Sequence, residues 1–338
     1  MKALTSRGLF MRASEGHVAN IVATVVGALA FCAASLASAQ GYPAKPIRVM
    51  VPWPPAGIVD VAGRVIAERV QAELGQPMII ENKPGAGGMI GADLVAKSAA
   101  DGYTLLLTST GLNMNAALGG PISIDVPNAF EPIRLVAWAP SVLVAYPGLK
   151  MNSVKDLVAH AKANPGRMSY ASAGNGSPAH FAAEMFRSEA GIAIVHVPYK
   201  GAPPAMADQI AGRVDFHFAN ATVALPQIKA GKVVALAITT EKRSALLPEV
   251  PTMAEAGFPE TKASQWLGYL APAGTPREIV DRVSAAIGKA ISDPAVQSAF
   301  ARQAMDVEAD SSPASFRALM RADLQRWQSI VKSAGIKL

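Results

Sequence analysis

Residues 47–74 read IRVMVPWPPAGIVDVAGRVIAERVQAEL, and the fold class turns on this stretch. Ile47 to Val51 is a short apolar run, as in a strand buried on both faces. Val61 to Leu74 carries apolar residues at helical spacing. Between them Trp53-Pro54-Pro55-Ala56-Gly57-Ile58-Val59-Asp60 makes a stiff turn. The prolines fix the route out of the strand, Gly57 keeps the backbone open, and Asp60 can cap the helix while ordering the loop. Strand, turn and helix in that order form the unit of an α/β chain, and the helix start it exposes favours anions.

The same alternation continues. Met78 to Glu81, Tyr103 to Thr108, Ser141 to Ala145, Met168 to Ala171, Ile192 to Val197, Val214 to Phe218 and Val233 to Thr239 read as strands. Helices are expected near Ile90 to Lys97, Val154 to Ala163 and Pro178 to Ala190, the last with Ser177 as cap and Gly191 as stop. Thr275-Pro276-Arg277-Glu278 reads as a capping box opening a helix with Ile279, Val283, Ile287 and Ile291 on its core face. Further helices are expected at Pro294 to Gln303 and from Pro313, after Ser312, to just before Gly335. The expected fold is α/β with mostly parallel sheets in two domains. Prolines cluster near Asp125 to Pro140 and Thr240 to Pro251, which read as two interdomain crossings. Residues 40–139 with 240–338 would form the first domain and 140–239 an inserted second. Two such domains can close on a ligand by a hinge.

Residues 1–39 have the layout of a secretory signal. Lys2, Arg7 and Arg12 are followed by an apolar stretch from Ile21, then by Ala37-Ser38-Ala39, with cleavage expected after Ala39. A retained membrane anchor is the alternative, weakened by the small-residue tail and the lack of a basic flank. The signal would take three basic residues and Glu15 with it, so the net charge of +6 becomes +4. That charge is dispersed, which suits small anions and not nucleic acid. The single cysteine, Cys32, also leaves, excluding a disulfide, a thiol nucleophile and a cysteine metal site.

Four strand-end loops could carry chemistry, since ligands of open parallel sheets bind beyond the strands' carboxyl ends. They are Trp53 to Asp60, Lys83 to Gly91, Thr108 to Asn113 and Ser172 to His180. The fourth is the sharpest, because glycines let backbone N–H groups approach a ligand while Ser172, Asn175 and Ser177 add uncharged donors. His180, in the first helical turn, is open to a structural or a pocket role. The second loop lacks the dinucleotide fingerprint, because Ile90 stands where the last glycine belongs, so it reads as a structural turn and no cofactor is expected. No metal site is expected either: His180 and Glu184 share a helix face without further ligands. An exported hydrolase using Ser109 or Ser177 is a competing reading, but neither serine lies in a G-x-S-x-G elbow and no base is evident.

At these loops the chain resembles the Bug-type solute-binding receptors of tripartite tricarboxylate transporters. The resemblance runs along nearly the whole chain beyond residue 39. It rests on YPAKPIRVMVPWPPAGIVD, ENKPGAGGMIGADLVAKSAADGYTLLLTSTG, YASAGNGSPAHFAAEMF, VHVPYKGAPPAM, IKAGKVVALAITTEKRS, PEVPTMAEAGFP and WLGYLAPAGTPREIV. It implies a two-domain, Venus-flytrap periplasmic binding protein. Such a protein holds a small carboxylated solute in its interdomain cleft, without catalysis or cofactor. The solute goes to the membrane subunits of the transporter, or the receptor signals to a sensor protein instead. A monomer is expected.

The family's cleft residues map here onto Ala56, Gly57, Ile58, Val59 and Asp60; Ser109 and Gly111; Ser172, Gly174, Asn175, Gly176 and Ser177; Tyr199; and Asn220, and the loops themselves add Thr110 and His180 as candidate site residues. Ala56 stands in place of a glycine, Ile58 in place of a hydroxyl residue, and Ala219 in place of a frequent aspartate. Ile58 and Val59 predict a less polar wall, hence an aliphatic or aromatic carboxylate over a tricarboxylate.

Overall fold

The computed structural model describes residues 41–120, 122 and 124–336. The expected signal sequence lies outside the described residues. The chain divides after Ala44, and everything below lies in the compact unit Lys45–Leu338.

The opening stretch forms β1 (Ile47–Val51) and α1 (Ile58–Leu74), the helix starting one turn earlier than its apolar spacing suggested. Gly57 is its N-cap in an extended conformation, and Gly75 ends it in the left-handed region. Asp60 stands at the third helical position and accepts from Ala56 N–H at 3.0 Å, closing the turn from inside the helix. There follow β2 (Met78–Asn82), α2 (Met89–Ala96), β3 (Thr104–Ser109), α3 (Gly111–Leu118), α4 (Val126–Ala129) and β4 (Phe130–Ala139). The third loop therefore runs from the end of β3 directly into the first turn of α3, and the stretch read as an interdomain crossing from Asp125 is mostly β4.

The chain then builds β5 (Ser141–Ala145), α5 (Val154–Ala163), β6 (Ser169–Ser172), α6 (Pro178–Ala190), β7 (Val195–Pro198), α7 (Ala202–Ile210), β8 (Phe216–Asn220), α8 (Ala221–Lys229) and β9 (Val234–Ile238). It returns through β10 (Gln265–Pro272) and closes with α9 (Arg277–Ser292), α10 (Pro294–Ala301), β11 (Asp306–Val307) and α11 (Pro313–Ala334).

Two sheets result, ordered β11-β4-β10-β3-β1-β2 and β7-β6-β8-β5-β9. Both are mixed. Pairing is parallel where helical crossovers join strands, within β1–β3 and β6–β8. It is antiparallel where β5 enters the second sheet and where β10 rejoins the first beside β3 and β4. The departure from mostly parallel sheets thus comes from the strands next to the crossings.

Each lobe has its own core. The first packs Met50, Leu106, Trp266, Leu270 and Phe316. The second packs Tyr170, Phe186, Phe216 and Phe218, together with Met253 and Ala263. Residues beyond 240 therefore still cover the second sheet before β10 returns. The long α11, capped by a reciprocal Ser312–Ser315 box, meets both lobes: Phe316 lies in the first core and Trp327 packs edge-on against Phe181 of α6, ring centres 5.2 Å apart. The expected capping box at Thr275 does not form. Its hydroxyl donates back to Pro272 O at 2.8 Å, and Pro276 is the N-cap of α9.

Candidate functional site

The carboxyl ends of β1, β3, β6, β7 and β8 meet the start of β10 between the lobes, around a small inner cavity of about 40 Å³. Three helix starts border it: Gly57 to Val59 of α1, Pro178 and Ala179 of α6, and Gly201 to Pro203 of α7. The first N–H groups of a helix have no intrahelical partner and carry partial positive charge. Between these helix ends the wall is apolar, with Pro54, Ile58, Ala173 and Phe218, and the polar side chains are Ser109, His217, Asn220 and Gln265. Among the described residues, none lining this cavity is a lysine, arginine, aspartate or glutamate. A wider outer cavity shares Trp53, Pro54, Ala173 and Gly201 with it and adds Gly85 to Met89, Gly174, Asn175, Tyr199 and Lys200.

Behind the first loop sits Asp60, buried and facing away from both cavities. It accepts from Ala56 N–H, from the Arg64 guanidinium at 2.9 Å and from Asn82 Nδ2 at 3.0 Å, while Asn82 also donates to Trp53 O. Burial pushes its carboxyl up, but Arg64, the Ala56 amide and Asn82 together hold it below the ordinary carboxylate value. Ala56 is exposed and sits at φ 62°, a left-handed conformation unusual for alanine. Neither Ala56 nor Asp60 lines the site; they shape the turn that presents Gly57, Ile58 and Val59.

The fourth loop is wired in the same way. Ser172 Oγ accepts from Gly174 N–H at 3.1 Å and lies 2.6 Å from His196 Nε2. Ser177 Oγ caps α6 by accepting from His180 N–H. His180 Nδ1 accepts from Gly176 N–H at 3.2 Å, so this geometry assigns the ring proton to Nε2. The His180 ring stacks on His196 at 4.3 Å, and burial pushes both histidines toward the neutral form, His196 down to about 4. His180 is thus tied into the loop and lines neither cavity. Ser172, Gly176, Ser177 and His180 support the loop, while Ala173, Gly174 and Asn175 reach the outer cavity.

The third loop is held from the far end of the chain. Asp323 of α11 accepts from Thr110 Oγ1 at 3.0 Å, Asn113 Nδ2 at 2.9 Å, and the indoles of Trp266 and Trp327, each at 2.7 Å. Burial outweighs these donors and leaves its carboxyl above the ordinary value. Thr110 is turned to Asp323, whereas Ser109 lines the inner cavity and takes Gly111 N–H at 3.3 Å.

Asn115 of α3 joins the lobes directly. Its Nδ2 lies 2.8 Å from Gly111 O, 3.0 Å from Gly87 O and 2.8 Å from Gly176 O, the last on the second lobe. The approach is close: a Cβ on Gly87 would stand 2.7 Å from Asn175 O. The second loop, read from sequence as a structural turn, therefore borders the outer cavity as well.

Of the sequence-derived residues, Gly57, Ile58, Val59, Ser109 and Asn220 meet at the inner cavity, and Gly174, Asn175 and Tyr199 at the outer one. The Tyr199 hydroxyl is committed to Asp208 at 2.8 Å; burial and that contact push it up to about 12. Sequence reasoning missed Trp53, His217, Gln265 and Asn115. Gln265 donates to Asn220 Oδ1 across the cleft. His217 is fully buried, neither ring nitrogen has a hydrogen-bond partner among the described residues, and burial pushes it down to about 3. A lone histidine inside the apolar run FHFAN gives no local signal of this role.

Residues 62–336 match a family model described as the tripartite tricarboxylate transporter family receptor, TctC. The chain is 42% identical over 303 residues to Protein BugT of Bordetella pertussis, spanning 89% of this chain and 93% of that protein. Two solved structures are similar over the same span. MatC from Rhodopseudomonas palustris, with bound malate, has 29% identity and a TM-score of 0.82 over 86% of this chain and 100% of that one. Rpa4515 from R. palustris, with adipate, has 32% identity and a TM-score of 0.84 over 88% and 99%.

Proposed function

This chain belongs to the tripartite tricarboxylate transporter receptor family, and on that premise we propose that it captures a small carboxylate between its lobes and delivers it to the membrane subunits of such a transporter. Its two α/β lobes with mixed sheets are the periplasmic binding protein fold, in a family of binding proteins and not of enzymes. The receptor is proposed to reach the periplasm by cleavage after Ala39 and to work there as a monomer.

One observation carries the ligand class: three helix starts border a single apolar-walled cavity whose lining offers no lysine or arginine. A carboxylate entering it loses water, which is costly unless donors replace that water. Helix-end amides replace it without a charged side chain, each charge-assisted hydrogen bond contributing about 1.5–3 kcal/mol. Donors come from both lobes, so the anion favours the closed arrangement. The relatives with malate and adipate hold carboxylates. Here Ile58 and Val59 line one side where the family's hydroxyl would stand, which supports an aliphatic or aromatic carboxylate over a tricarboxylate.

A thermal-shift panel of mono-, di- and tricarboxylates, amino acids and neutral sugars on the processed protein tests the reading, because saturation by a ligand raises the melting temperature. Carboxylates alone should stabilise; stabilisation by sugars instead would overturn the proposal. Ile58→Ser should shift the order of preference toward more polar acids with less than about 1 kcal/mol change in fold stability. An unchanged order would remove Ile58 from recognition.

A further inference from the structure

His217, the second residue of β8, lines the inner cavity with its ring fully buried. A buried polar group without a partner is costly, so two such nitrogens on one ring call for an occupant. A second orphan lies at the same site: the buried Nε1–H of Trp53, which borders both cavities, also lacks an acceptor among the described residues. We propose that His217 and the Trp53 indole form a polar subsite for an uncharged oxygen function of the ligand, making this a receptor for hydroxy- or oxo-monocarboxylates. This rests on the carboxylate reading above and specifies the rest of the molecule.

The chemistry of the two groups selects the oxygen function. A neutral imidazole offers one N–H and one lone pair, and a hydroxyl answers both at once. A keto oxygen answers the imidazole N–H and the Trp53 N–H. A second carboxylate fits poorly: it would face the imidazole lone pair in a desolvated cavity lined by no lysine or arginine. The cationic side chain available to a second anion is Lys200, which lines the outer cavity and not the inner one. A plain hydrocarbon end would leave all three polar atoms unpaired. Sites that hydrogen-bond a ligand oxygen discriminate strongly against analogues lacking it, for that reason.

The test is isothermal titration of the processed protein with hexanoate, with hexanoates hydroxylated or oxidised to ketones at successive carbons, and with adipate. In the wild type at least one hydroxy or keto acid should bind about tenfold tighter than hexanoate, equivalent to ~1.4 kcal/mol. In His217→Met that preference should vanish while hexanoate binds as well or better, and the unliganded melting temperature should hold or rise, because an unsatisfied polar group has gone. Trp53→Phe, which keeps an aromatic ring, should lose part of the preference, and His217→Gln should restore part of it. Failure of any oxygenated acid to outbind hexanoate, survival of the preference in both His217→Met and Trp53→Phe, or a preference for adipate that disappears in His217→Met would each overturn the subsite. Absence of binding by every acid, with a neutral solute binding instead, would overturn the carboxylate reading itself.

Discussion

Asp60 and Asp323 both hold a loop of the ligand site from behind, and they do so by opposite means. Asp60 is local: it ties Ala56, four residues away, to its own helix and balances its charge against Arg64. Asp323 is remote: it gathers Thr110 across 213 residues, along with Asn113 and two tryptophans, and makes no ion pair among the described residues. Arg64 and its neighbours outweigh burial for Asp60, whereas burial outweighs four uncharged donors for Asp323. The first loop is thus fixed by a short-range ion pair, and the third by tertiary packing that exists only once α11 has docked.

The comparison breaks most visibly at Asp323. Asp323→Ala leaves buried indole, amide and hydroxyl donors without their shared acceptor, and it should cost about 4 kcal/mol in urea unfolding. Asp60→Asn keeps one acceptor oxygen and loses a half-exposed partner, so about 1–2 kcal/mol is expected. It should also weaken carboxylate binding, read by titration, because the turn presenting Ile58 relaxes.

Acid sharpens the contrast. A lowered folded-state value means that Asp60 stabilises above the unfolded value of about 3.9, an advantage lost as pH falls through the folded value. A raised one means that the folded chain holds the Asp323 proton more tightly, so stability falls as pH rises from the unfolded to the folded value. As pH falls, the cost of Asp323→Asn should therefore grow while pH is still above ~4, and the cost of Asp60→Asn should shrink only below ~4. Parallel trends would contradict the assignment of opposite shifts. The smallest effect is expected at Ala56→Gly. Relief of the left-handed alanine exceeds the added chain entropy by about 0.5 kcal/mol, a small rise in melting temperature without loss of binding.

The same division governs what the sequence discloses. The limits of α6 and the start of α11 could be read because Ser177, Gly191 and Ser312 act within a turn of themselves. Thr275 carries the same local signature and misleads, since its hydroxyl turns back to Pro272 O. The strands β4 and β10 went unread because they take their place in the sheet by antiparallel pairing with each other, across more than a hundred residues of intervening chain. In the site, the glycine-rich loops announced themselves as backbone that a ligand can approach. Asp323, Gln265 and His217 did not, because each gains its role from partners, or from a lack of partners, that only the assembled lobes create. Family resemblance located Asp60 at the cleft and the loop pattern drew attention to His180, but neither could say which way the side chains point.

One amide group, on Asn115, has a consequence in time. It touches carbonyls of Gly87 and Gly111 on one lobe and of Gly176 on the other. For the cleft to part, the Gly176 carbonyl must first exchange that hydrogen bond for water, whatever solute lies inside. Part of the dwell time of every ligand is therefore set by the receptor and not by the solute, and the interval available for meeting a membrane partner has a floor written into the protein itself.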